Sequence, residues 1–194
     1  MFLSASEIQD LVTTGEVLIE PFSPANLKPA SYILTLANRW RKWSAQREPI
    51  DLTMPVDAKK LLTSISTSEE YVLTNTDFCL AATIEKLSLP SYLVGIVAPL
   101  SHISRWGLSV NLGSLIVSPK FGATNPTCLT IELVSHNPSP LKLKTGLPIC
   151  HLAFIKVTHS EELVPLYRSI YEGRETPSGP FLNEELAKLM EHSE

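Results

Sequence analysis

Three side chains in this sequence have the types and surroundings that hydrolytic chemistry needs. Arg105, in "LSHISRWGLSV", is the only formally charged side chain between Lys86 and Lys120. Glu132, in "CLTIELV", is the only acidic residue between Glu85 and Glu161. An isolated charge inside a long apolar stretch is costly unless something pairs with it. Two arrangements satisfy that constraint. The pair can form a structural ion pair across adjacent strands. Alternatively, Glu132 is a carboxylate base beside the Arg105 guanidinium and the Ser101 hydroxyl, where it would hold and deprotonate a water.

Other chemistries fail on spacing. The five histidines (His102, His136, His151, His159, His192) never pair with a cysteine or with one another at ligand distance in sequence, so no zinc is expected. The H-x-E and P-C-x-x-C halves of a zinc nucleobase deaminase are both absent. Eight glycines form neither a G-x-x-x-x-G-K-[ST] nor a G-x-G-x-x-G phosphate loop, and there is no G-x-S-x-G elbow. Any phosphate must be held by scattered side chains and backbone amides.

The elements that would position these residues read as short strands. "EVLIEPF", "ASYILTLA", "YVLTNTDFCLAATI", "YLVGIVAP", "GLSVNLGSLIVSP", "CLTIELVS" and "LKLKTGLPICHLAFIKV" are rich in β-branched and apolar residues and are broken by turns. In "LTIELV", Leu129, Ile131 and Leu133 share one face, with Thr130, Glu132 and Val134 on the other. Helix is scarce. Ser4-x-x-Glu7 resembles a capping box opening a short helix that Gly15 ends, "VDAKKLLTS" is a candidate helical insert, and "EELAKLMEH" has a helical pattern. Many short strands with little helix between them predict an all-β sandwich or jelly-roll-like barrel.

Composition bounds the rest. A chain of 194 residues with 44% apolar and 19% charged residues suits one soluble domain with appendages. Residues 159–194 carry eight acids and three bases, a net −5, which leaves about +1 of the total −4 for residues 1–158. A near-neutral body with an acidic tail does not suggest nucleic acid as a partner. No apolar run approaches the roughly 20 residues of a membrane span. Three dispersed cysteines without a signal peptide suggest reduced thiols and a cytoplasmic location.

From Leu3 to Val157 the sequence resembles the deoxycytidine triphosphate deaminases and the related trimeric dUTPases. "IEPFSPANLKPASYILTLANRW" is similar to the family's I-x-P-F-x-P…Q-P-A-S-Y-D-L-x-L-G-N. "ATIEKLSLPSYLVGIVAPLSHISRWGL" is similar to A-x-T-x-E-x-V-x-L-P…G-R-S-S-L-x-R-x-G-L. "LTIELVSHNPSPLKLKTGLPICHLAF" is similar to L-E-L-x-N…P-I-x-L-x-P-G-x-x-I-x-Q-L-x-F.

The resemblance implies a distorted jelly-roll of the dUTPase (β-clip) type over residues 1–158, with a C-terminal lid and helical tail over 159–194. It implies metal-independent conversion of dCTP to dUTP and ammonia by a cytoplasmic homotrimer whose sites are shared between subunits. Glu132 falls on the catalytic glutamate, Arg105 on the arginine before G-L, and Ser101 on the first serine of R-S-S. His102, Gly113, Ser114, Ser118, Tyr171 and Arg174 fall at nucleotide-binding positions. Mg2+ would accompany the triphosphate, and the tail from Tyr167 to Phe181 would be a mobile lid.

The departures from the pattern are specific. The R of R-S-S is Leu100 and its second serine His102; the aspartate of I-D-P is Ser118, preceded by Ile116 where an arginine is common. The Asp of S-Y-D-L is Ile33 and the Gln of I-x-Q-L is His151, with about four extra residues around "ATNPT". Ser118 cannot act as a carboxylate base, which argues against a dUTP diphosphatase. A catalytically weakened nucleotide-binding or regulatory paralogue is the remaining alternative.

Overall fold

The computed structural model describes residues 1–51, 58–110, 114–158, 173 and 175–177. Twelve strands and three short helices are described. The strands are β1 (Leu18–Glu20), β2 (Leu27–Lys28), β3 (Ser31–Lys42), β4 (Ser66–Thr67), β5 (Glu70–Leu73), β6 (Phe78–Ser88), β7 (Leu93–Pro99), β8 (Leu108–Val110), β9 (Ile116–Val117), β10 (Thr127–Ser135), β11 (Leu141–Lys144) and β12 (Pro148–Lys156). The helices are α1 (Ala5–Thr13), α2 (Ala58–Leu61) and α3 (Ser101–Ser104). Every described pairing is antiparallel, in a curled sheet ordered β8-β10-β6-β3-β12-β7-β9, with β1 on β6, β2 and β4 on β3, and a separate β11–β5 ribbon. The expected all-β jelly-roll is what forms.

The local signals explain the elements. Ser4 and Glu7 close the capping box of α1 in both directions, and Gly15 takes φ +78 just past its end. The long strands follow from alternation: in β10, Leu129, Ile131 and Leu133 point into the core while Thr130, Glu132 and Val134 are half-buried on the opposite face. Trp40, Tyr32, Phe154, Leu34, Leu36, Leu87 and Leu93 fill the interior. At roughly 25 cal/mol per Å² of apolar surface, each such side chain contributes about 1.5–3 kcal/mol of burial. The helical insert reduces to α2, and "EELAKLMEH" lies outside the described residues.

Strand β3 does two jobs. Its first half pairs with β12 (His151 opposite Ile33, Leu152 opposite Tyr32), and its second half with β6 (Trp40 opposite Ala81, Arg41 opposite Leu80). At the change of partner, Leu36 bonds to the β11–β12 turn through Leu147 O and Gly146 N–H. The N–H of Thr35 therefore points the other way, into the protein, where no strand carbonyl meets it. The buried carboxylate of Glu85, on β6, accepts from both the Thr35 N–H (2.9 Å) and its hydroxyl (2.8 Å).

Next to it, the Thr83 hydroxyl donates to Glu85 O (2.8 Å) and accepts from Leu129 N–H (3.0 Å). This cluster sits at the register shift between Cys128 and Thr130 on β10. Gly122 closes the loop leading into β10 at φ +66, where a Cβ would lie 2.1 Å from Leu87 O, so only glycine fits.

Glu85→Ala leaves the buried Thr35 N–H without an acceptor, so the urea midpoint should fall by the equivalent of at least about 1–3 kcal/mol. Glu85→Gln keeps one acceptor oxygen, and Thr35 can reverse its hydroxyl to meet the amide, so its midpoint should lie between Ala and wild type. An Ala variant as stable as the wild type would show that the carboxylate is not what holds this junction.

Candidate active site

Glu132 lies in the middle of β10, opposite Leu80 of β6, which is in turn opposite Arg41 of β3. The outer face around it is apolar: Leu80 and Ala82 are buried there, and Val134 and Thr130 flank it on its own strand. Among the described residues the Glu132 carboxylate makes no ion pair, and the one hydrogen bond acting on its charge is from its own backbone. Burial raises its pKa above the ordinary carboxylate value. The structural ion pair with Arg105 is therefore not made within the chain.

Arg105 and Ser101 sit elsewhere. Ser101 opens α3 directly after β7, and Arg105 caps its C-terminal end, its N–H bonded to Ser101 O at 3.1 Å. Both side chains are exposed, as is His102. The turn after α3 is tied to the end of β10 by His136 N–H on Gly107 O (2.7 Å) and by the Asn137 amide on Trp106 O (3.0 Å). One chain thus presents a desolvated carboxylate at one place and an exposed serine–arginine pair at another.

Of the remaining expected residues, Gly113, Tyr171 and Arg174 lie outside the described residues. Ser114 is exposed, with its hydroxyl 3.4 Å from Ile116 O. Ser118 is half-buried in the turn after β9, where its carbonyl accepts from Phe121 N–H (3.1 Å). The departures become intelligible here. Leu100, in place of an arginine, is 3% exposed and belongs to the core. Ile116 projects from the edge strand β9 and is 61% exposed.

The sequence pointed to a lid but not to what it would touch. Gly173, at φ +73, donates its N–H to Thr127 Oγ1 (2.6 Å) and Asn125 O (3.3 Å), so the extra residues around "ATNPT" form its seat. The Glu175 carboxylate pairs with Lys86 of β6, its carbonyl accepts from Arg39 of β3, and Pro177 is buried. Lys86 stands opposite Cys128, so Glu175 lies beside the strand that carries Glu132. The only sequence hint of this seat was the inserted "ATNPT" itself.

Thiol chemistry has no support. Cys79, Cys128 and Cys150 form no disulfide and are buried, and burial pushes their pKa values up, to about 11 for Cys128 and about 12 for Cys150. Among the described residues no three His, Cys, Asp or Glu side chains converge as metal ligands, and no helix is long and apolar enough to cross a membrane.

The stability of Glu132→Gln reports on the missing ion pair. A carboxyl whose pKa is raised by folding stabilises fully below its unfolded pKa, and that contribution is lost as pH rises through the folded value. At neutral pH the Glu132 charge thus opposes folding. Glu132→Gln should melt at or above the wild-type temperature at pH 7, and that advantage should shrink as pH falls through the folded pKa and vanish below the unfolded one. A clear drop in melting temperature at pH 7 would mean that Glu132 has a cationic partner in the folded protein.

Comparison with known proteins converges with this geometry. A family model described as dCTP deaminase-like matches residues 2–157. The "dCTP deaminase, dUMP-forming" of Sulfurihydrogenibium sp. is 29% identical over 174 residues, 90% of this chain and 93% of the relative. That of Persephonella marina is 29% identical over 187 residues, 95% of this chain and all of the relative (100%).

A crystal structure of 2'-deoxycytidine 5'-triphosphate deaminase from Agrobacterium tumefaciens shares the fold, with a TM-score of 0.62 at 19% identity over 81% of this chain. The chain spans about half of that larger protein (48%). The match over residues 2–157 leads to one conclusion: the chain belongs to the dCTP deaminase-like family.

Proposed function

We propose that this chain deaminates dCTP by hydrolysis, with Glu132 as the general base. One observation carries the reading. Glu132 is a desolvated carboxylate with no ion-pair partner among the described residues, at the position that resembles the family's glutamate, and burial makes it a stronger base than an exposed one.

The chemistry needs few parts. Glu132 takes a proton from water as its oxygen bonds to C4 of the cytosine. The same carboxyl returns the proton toward the amine as the C4–N4 bond breaks and ammonia leaves. Arg105 and Ser101 orient the water and stabilise the charge that develops in the tetrahedral centre. His102, Ser114 and Ser118, with Gly113, Tyr171 and Arg174, would contact the nucleotide. Magnesium would arrive with the triphosphate as part of the substrate.

The reading of dUTP as product draws support from Ser118, which offers no carboxylate to activate water at a phosphoanhydride. A second reading, dUMP as the product, draws support from the names of the two relatives. Incubation with magnesium and dCTP separates them. Ammonia without pyrophosphate supports dUTP formation; ammonia with pyrophosphate supports dUMP formation; nucleotide binding without ammonia makes the chain a regulatory paralogue. Glu132→Gln should lose roughly 10²–10⁴ in turnover while still binding nucleotide. The acid limb of the rate profile should lie above the usual carboxylate range, because Glu132 must be ionised to accept a proton.

The separation of Glu132 from Ser101 and Arg105 supports a site completed by a second copy. Trp106, Leu115 and Ile116, which are 66%, 50% and 61% exposed, offer apolar surface beside α3 for that contact. The chain is expected to be a homotrimer by light scattering at micromolar concentration, and an active monomer would remove the shared site.

A further inference from the structure

Among the described residues, left-handed backbone belongs to glycine with a single exception. Gly15, Gly107, Gly122, Gly146 and Gly173 have positive φ, and Lys120 joins them at φ +63. That conformation is strained for a residue with a Cβ.

The turn that carries Lys120 explains the angle but not the residue. Phe121 N–H closes on Ser118 O at 3.1 Å, with Pro119 second and Lys120 third in the turn. Proline followed by a positive φ makes this a type II turn, whose third position is ordinarily glycine or asparagine. The next turn shows the ordinary solution: Ala123 N–H closes on Lys120 O at 3.1 Å, and its third residue is Gly122, at φ +66. Both turns are pinned to the β6–β7 connection. Leu89 N–H donates to Phe121 O at 2.9 Å, and Lys120 N–H to Pro90 O at 3.4 Å. The path of the chain imposes the angle on whichever residue stands there.

The contacts within the chain do not account for a lysine. Its side chain is exposed, and among the described residues no carboxylate pairs with it. Backbone strain of this kind is characteristic of positions whose side chain serves a ligand. Lys120 is also the only formally charged residue between Arg105 and Glu132. It follows Ser118 by two residues and Ile116 by four, the positions where the family pattern has an aspartate and commonly an arginine. β9 therefore carries no charge, and the one cation of the β9–β10 connection stands at the apex of its first turn.

We infer that Lys120 anchors the nucleotide through an ammonium–phosphate contact, and that a strained lysine stands where glycine would be relaxed because the charge is needed there. The identity of the anion as a phosphate of dCTP rests on the proposed function, since Ser118, which opens the turn, is among the residues proposed to contact the nucleotide. The role is in affinity; Lys120 touches no reacting atom.

Substitution separates backbone from charge. Lys120→Gly relieves the angle and removes the ammonium, Lys120→Met keeps the angle and removes only the ammonium, and Lys120→Arg keeps both. The full chain is used, and dCTP affinity is measured in the Glu132→Gln background so that the nucleotide is not consumed. Lys120→Gly should raise the melting temperature by about 2 °C, and Lys120→Met should leave it within about 1 °C of the parent. Both should weaken dCTP binding by about tenfold at low salt, a loss that shrinks as salt is raised, and Lys120→Arg should bind within about twofold of the parent.

Stability thus follows the backbone and affinity follows the charge. Equal dCTP affinity in the Gly, Met and parent proteins, a loss independent of salt, no dCTP binding by the parent, or a Gly variant no more stable than the parent would each overturn the anchor. Ammonia release from dCTP by the wild-type chain, with affinity indifferent to Lys120, would overturn the anchor alone. Lys120-dependent dCTP binding without any ammonia release would overturn the deaminase reading alone.

Discussion

A buried carboxylate at the junction of two half-sheets is the interaction on which the rest of this molecule depends. Where β3 passes from β12 to β6, one backbone N–H must point into the interior, and only Glu85 is there to receive it. Burial raises the Glu85 pKa, and the two bonds from Thr35 act against that shift. Thr83 couples the same cluster to β10 through Leu129 N–H. A single set of polar groups thereby fixes how β3 joins β6 and the register in which β10 lies on it. Because a strand alternates, that register decides which face Glu132 occupies.

The character of the outer face is a consequence of that register. Glu132 stands among Leu80, Ala82 and Val134, so its charge is desolvated without being paired. On β3 and β6, Arg39 and Lys86 hold the backbone carbonyl and carboxylate of Glu175, and Thr127 holds Gly173. The inserted "ATNPT" segment turns the entrance of β10 into a seat for the tail. Ion pairs as exposed as Lys86–Glu175 are weak individually, so the buried Pro177 and the Gly173 bonds carry much of this docking.

The departures from the family pattern follow one logic. Leu100 packs in the core at the start of α3, where a guanidinium would be stranded without a counter-charge. Ile116, also in place of an arginine, projects from the edge strand β9 and is exposed.

Much of this was legible in the sequence. Alternation in "LTIELV" assigned both faces of β10, Ser4 and Glu7 marked the start of α1, and the isolation of Glu132 in an apolar run singled it out, because those signals are local and periodic. The pairing of Glu132 was not legible. Isolation in sequence says that a charge lacks neighbours along the chain, and only the three-dimensional path shows that Arg105, beyond the end of β7, does not return to it. The same limit hid Glu85, which looked like an ordinary end to an apolar stretch until the turn in β3 gave it a backbone N–H to hold. It also hid the contact of Ser31 with His151, positions far apart in the chain that meet because β3 and β12 lie side by side. Periodicity determines which way a side chain faces; strand order, which depends on non-local hydrogen bonds, determines what it meets.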